Sequence, residues 1–294
     1  MTSSRVMKFL ASVAASAFLA VTGLFAGSFP NRIVSLSPST TEMLYGVGAF
    51  PRVVGVSQYC TYPPEAAKLP RVGGWQNSSI EKIVALRPDL VVLTKPQEPF
   101  LGDRLRTLHL RYLAVPSESL ADVFSAIRII GDETGNKTQA AELTQRIRAS
   151  LDSIRSATQN LPKPSVLVAV SRTPGTLSDL YVATEGSYLV DLIEIAGGRS
   201  VAAPVRRGYG RISKEAVLKL DPDVIIDLVH GSKSKLGERA SEAWNDLPEL
   251  RAVKEKHVYS VDDPFVPHPS QFVAHTAELF ESILHPELTG KGSR

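Results

Sequence analysis

Two aromatic and two acidic residues recur at one spacing. Trp75 and Tyr209 lie 134 positions apart, and so do Glu81 and Glu215. An indole and a phenol at matched places suit a large, flat or partly apolar ligand held by contact area, with few polar groups to orient it. Tyr59, Tyr62 and Phe265, in proline-bearing loops, are candidates for the same surface. Each glutamate follows a serine (Ser79, Ser213) that can cap a helix, so its charge falls where the helix dipole favours it. That role is adequate for stability. One glutamate at the same place in each half also makes two separated acidic points, a pattern suited to docking on a symmetric, basic partner.

Catalytic signatures are lacking. The chain has no Gly-rich phosphate loop, no G-x-S-x-G elbow and no H-E-x-x-H helix. Its six histidines (109, 230, 257, 268, 275, 285) are scattered, without the convergent spacing of a protein-built zinc or manganese site. His230, at the end of a strand, and His268, in the last long loop, are the two kept as metal contacts. A binding protein is therefore expected rather than an enzyme, with a secreted hydrolase as the remote alternative.

The elements that must position these residues also come twice. Residues 79–93 and 213–227 share one grammar: a capping serine, a glutamate, an apolar helix face, Pro-Asp (Pro88-Asp89, Pro222-Asp223) and a β-branched run. A proline ends each helix and a buried strand follows. Copies this far apart imply two similar lobes, not a short solenoid repeat. Strands alternate with helices in both, so the fold expected is α/β with largely parallel sheets. Leu143, Ile147, Leu151 and Ile154 make one apolar stripe on a linker helix at 135–161, in a sequence unbroken by Pro or Gly from Lys137 to about Asn160. About 24 helical residues would span roughly 36 Å, enough to join an N-terminal lobe (29–134) rigidly to a C-terminal lobe (162–286), with the ligand cleft between them and a tail at 287–294.

Residues 1–28 read as a cleavable signal peptide: Arg5 and Lys8, an apolar run from Phe9 to Phe25, then small residues. A periplasmic location follows, and, with no cysteine beside that run, the expectation is that the chain is not a lipoprotein. Cys60 is the only cysteine, so no internal disulfide can form. With 33 basic and 30 acidic residues, two of the basic ones in the leader, the rest is close to neutral. Nothing in that balance calls for nucleic acid as a partner. A monomer without a cofactor is expected.

These residues carry a family resemblance. Ile33-Val-Ser-Leu-Ser-Pro38, Gly55-Val-Ser-Gln-Tyr59, Tyr62-Pro-Pro-Glu65, Val72-Gly-Gly-Trp75-Gln76, both repeated units and Ala196-Gly-Gly198 resemble the substrate-binding proteins of bacterial ABC importers for cobalamin and ferric siderophores. The likeness runs from about residue 32 to 285. Tyr59, Trp75-Gln76 and the aromatic at 209 are most similar to the cobalamin-binding members. The resemblance implies two α/β lobes joined by one rigid helix and a permease of an ABC importer as partner. It further implies Pro38, Tyr59, Trp75, Tyr209, Asp263 and Phe265 as ligand-lining residues, and Glu81 and Glu215 as docking residues for permease arginines. Cobalamin is the ligand implied, with a ferric siderophore, haem or other metal chelate as the alternative. Two positions depart from the cobalamin pattern: Tyr209 stands for a tryptophan and Gln271 for an arginine. With them, a cobalt or iron contact from His268 enters consideration.

Overall fold

The computed structural model describes residues 29–201, 208–228 and 240–289. The expected signal peptide, His230 and the end of the tail lie outside them.

The first strand, β1 (Ile33–Ser35), is apolar and fully buried, as a central strand covered on both faces must be. Ser37 caps the helix that follows, α1 (Pro38–Gly46), and Pro38 occupies its first turn, where a missing N–H costs nothing. After β2 (Val53–Val56) comes the first repeated unit: α2 (Ile80–Ala85) and β3 (Leu90–Thr94). Helix α3 (Glu98–Thr107) and β4 (Tyr112–Val115) complete the lobe. Its sheet has the order β2-β1-β3-β4, and every pair is parallel.

The second lobe starts with β5 (Ser165–Ser171) and β6 (Tyr181–Ala183), followed by α6 (Tyr188–Ile195), β7 (Arg199–Ser200) and β8 (Tyr209–Arg211). The second repeated unit is α7 (Lys214–Leu220) with β9 (Val224–Leu228). Short α8 (Ala240–Trp244) and α9 (Arg251–Lys254) precede β10 (Val258–Val261), and α10 (Val273–Leu284) closes the lobe. The order is β10-β9-β5-β6-β8, with β7 also on β5. Strands β6 and β8 run antiparallel to their neighbours. This two-sheet, mostly parallel α/β architecture is the expected fold class.

Two helices, not one, connect the sheets: α4 (Leu120–Thr134) and α5 (Lys137–Thr158). Gly135, at φ +74°, ends α4 in the left-handed conformation that glycine adopts freely. The chain restarts at Asn136. Helix α5 falls within the stretch expected to form one long helix, 135–161, and α4 precedes it. The predicted stripe of Leu143, Ile147, Leu151 and Ile154 is buried. It belongs to one apolar core that continues from Ile33 in the first sheet, through α5, to Phe280 on α10. Polar ties cross the same seam. Asp191 of α6 accepts the N–H of Leu120 at 2.9 Å, and Thr158 of α5 donates to the Ile195 carbonyl at 3.0 Å. Moving one lobe on the other would tear this core, so large closure is not built into the fold.

Candidate ligand-binding site

A parallel sheet sends its loops out at the carboxyl ends of its strands, and open α/β sheets bind ligands there. The two lobes turn these ends toward each other. Pro38 follows β1; Tyr59 and Trp75 follow β2; Pro96 follows β3; Val170 and Leu228 lie in the last residues of β5 and β9, and His268 follows β10. They line one cleft of about 560 Å³, together with Tyr188, Tyr209 and Glu118. That size falls within the roughly 300–1,000 Å³ of small-molecule sites.

The two matched aromatics are both in the cleft but are held differently. Tyr209 lies on β8, paired with Ala183 of β6, and burial pushes its phenol up to about 12. Trp75 lies in a loop whose carbonyl accepts the Gln97 amide at 2.9 Å. The same amide donates to the Leu36 carbonyl at the end of β1, so the buried Gln97 anchors the Trp75 loop to the sheet. Tyr59 is 57% exposed, an aromatic face open to a ligand.

Asp263 and Phe265 have other work. Neither is in the cleft lining. Phe265 stacks on Phe272 with ring centroids 3.9 Å apart, and Tyr62 meets both edge-on. Tyr45 of α1 adds to this group through Tyr62. The four rings thus join the two lobes through aromatic contacts. Asp263 accepts the Phe265 N–H at 2.8 Å and pairs with His275 at 2.8 Å, fixing the turn that aims Phe265 inward. Both residues, expected to contact ligand, are here engaged in packing between the lobes.

Sequence reasoning missed Tyr188 and Glu42. Tyr188, fully buried, starts α6 and donates its hydroxyl to the Val266 carbonyl at 2.7 Å. Glu42 looked like an ordinary helical acid, yet it is 2% exposed and reaches from α1 to the second lobe. Neither position carries a local sequence signal, because each is defined by a contact far along the chain, 78 positions on for Tyr188 and 226 for Glu42.

Glu81 and Glu215 are exposed in the first turns of α2 and α7. Ser79 and Ser213 cap these helices as predicted, each hydroxyl accepting a backbone N–H at 3.3 Å. Glu81 is held below the usual carboxylate range by its own N–H and by Ser79, whose hydroxyl donates to it at 2.8 Å. The Ser213 hydroxyl and its own N–H do the same for Glu215. Both are anionic at neutral pH.

Two lobes facing each other across an aromatic cleft define a binding protein of the periplasmic type. The chain belongs to the periplasmic binding protein family, whose model matches residues 33–264. A Bacillus subtilis (strain 168) protein named an uncharacterized ABC transporter substrate-binding lipoprotein, YvrC, is 30% identical over 262 residues, covering 86% of this chain and 80% of its own. A vitamin B12-binding protein of Yersinia pestis (strain Pestoides F) is 29% identical over 224 residues, 75% of each. A periplasmic heme-binding protein from Pseudomonas aeruginosa has the same fold, with a TM-score of 0.72 at 24% identity, over 87% of this chain and 93% of its own. Members of this family are substrate-binding proteins of transport, working with a membrane permease and a small-molecule ligand, rather than enzymes. The Bacillus relative overturns one expectation. A chain this similar is named a lipoprotein, so the inference that this one is not a lipoprotein is withdrawn.

Proposed function

We propose that the protein is an extracytoplasmic receptor that captures a metal-bearing tetrapyrrole, a cobalamin-type corrinoid foremost, and hands it to the permease of an ABC importer. The cleft carries this reading: Trp75, Tyr59, Tyr188 and Tyr209 from both lobes surround a space with little polar wall. Such a wall grips a broad planar ligand by area. The vitamin B12-binding relative supports the corrinoid. Haem is the second reading, favoured by His268 in the lining. Delivery uses Glu81 and Glu215 as the two docking points, one per lobe. The continuous core between the lobes suits a receptor that closes little on its ligand.

Titration followed by absorbance and by ultrafiltration tests it, with cyanocobalamin and haemin in separate cells. Saturable one-to-one binding of cyanocobalamin is expected. Binding of haemin alone would move the assignment to haem, and binding of neither would remove the tetrapyrrole reading.

A further inference from the structure

The segment that leaves β3 surrounds Trp75. Pro96 lines the cleft with it, and Gln97 holds the Trp75 carbonyl. Phe100, in the first turn of α3, meets the indole edge-on, with ring centroids 6.1 Å apart and planes at 60°. Pro96 and Pro99 fix the backbone on either side of Gln97. Trp75 is thus held at its main chain and at its ring, which cuts the ordering cost of using it as a binding platform.

Phe100 does more than brace the indole. It is 47% exposed and stands outside the lining of the cleft. Its exposed companions on α3 include Asp103, Arg104 and Arg106. A single exposed apolar side chain needs no explanation of its own. This one adjoins a ring that lines the cleft, so it carries the aromatic surface from the cleft wall out to solvent. The size of the cleft indicates what covers it. A space of about 560 Å³ suits a drug-sized ligand. A complete corrinoid is larger: a ring edged with amide arms, and a nucleotide tail that ends in an aromatic base. With the ring against Trp75, the rest must overhang the cleft, and Phe100 is the aromatic face next to Trp75 on that outer side.

We infer that Phe100 is an outer subsite of the cleft, taking the aromatic base of a corrinoid's nucleotide tail while Trp75 takes the ring. The contact is ring against ring, and no bond is made or broken. Haem has no such tail, and neither has a corrinoid stripped of its nucleotide, so both leave Phe100 uncovered. The inference rests on the corrinoid reading above.

The test titrates the purified protein with cyanocobalamin, with dicyanocobinamide (the same corrin without the nucleotide) and with haemin. Phe100→Ala should weaken cyanocobalamin binding about three- to tenfold, the range of an aromatic pair, and dicyanocobinamide binding by less than about twofold. Phe100→Tyr, which keeps the ring, should bind both as wild type does. A thermal melt shows that each variant is folded. Equal losses for the two corrinoids in Phe100→Ala would make Phe100 a brace for Trp75 alone and overturn the subsite. An unchanged cyanocobalamin constant would overturn it as well, and a fall in cellular uptake alongside would assign the ring to the permease surface. Wild type that binds haemin but neither corrinoid, or binds no probe, would overturn the subsite together with the corrinoid reading beneath it.

Discussion

The two copies of the repeated unit agree in their backbone and differ in what they carry. Asp89 and Asp223, at the same place in each copy, do the same work. Asp89 accepts the N–H groups of Asn31 and Arg32 just ahead of β1, at 2.7 and 2.9 Å. Asp223 accepts the N–H and hydroxyl of Ser165 at the start of β5, at 2.8 and 2.7 Å. Each lobe thus ties its first strand to the end of its repeated helix. Arg87 and Asp221 both have positive φ, +46° and +38°, where each helix turns into its strand. The aromatic that precedes the unit is where the copies part: Trp75 on a loop braced by Gln97, Tyr209 inside a sheet. Duplication preserved the parts that build a lobe. The cleft walls differ: one is a loop anchored through Gln97 and the other a paired strand.

The comparison can be broken at several points. Changing both Glu81 and Glu215 to Ala should abolish ligand uptake in cells and leave the dissociation constant of the purified protein unchanged. Uptake equal to wild type would remove the docking role from the matched pair. Asp223→Asn should lower stability by about 1–3 kcal/mol in urea, the cost of leaving the buried Ser165 donors short of an acceptor, and Asp89→Asn by less, because the Asn31 and Arg32 donors are exposed. Asp223 also has a pH signature. Burial alone would raise its pKa, but the Ser165 donors and Arg251 outweigh it and hold it below the ordinary value. Its stabilisation is therefore present above its unfolded pKa of about 3.9 and is lost as pH falls through the lower folded value. Asp223→Asn should flatten the melting temperature across that acid window. The smallest effects come from the turns. Arg87→Gly should stabilise by up to about 1 kcal/mol, through relief of a left-handed non-glycine residue. Asp221→Gly should destabilise, because Asp221 also accepts the Arg251 N–H at 2.8 Å. Equal signs in chemical denaturation would show that the two turns are not distinguished by that contact.

Much of this architecture was legible in the sequence because its signals are local. A capping serine, Pro-Asp and a β-branched run announce helix, stop and strand wherever they fall, and both copies form at the expected places. The stripe on α5 was legible for the same reason. The antiparallel pieces β6 and β8 were not: they are three residues each and gain their identity from pairing with β5 and with each other. Within the site, Pro38, Tyr59, Trp75, Tyr209 and His268 do meet in the cleft. The stacking of Phe265 on Phe272, seven residues on, was not legible, because a loop aromatic carries no sign of which ring it will meet. Glu42 was invisible, since its partners lie more than 200 positions away in the chain.

The central claim is that the ligand lies against Trp75 in the interlobe cleft. Only two tryptophans are present, and the other, Trp244, is fully buried in the second lobe, with its N–H donated to Asp227. Tryptophan fluorescence titrated with cyanocobalamin or haemin therefore tests it directly. Saturable quenching is predicted for wild type, most of it lost in Trp75→Phe even where that variant is loaded to the same extent. Equal quenching in Trp75→Phe at equal loading, or none in wild type when ultrafiltration shows ligand bound, would place the ligand elsewhere and contradict the account.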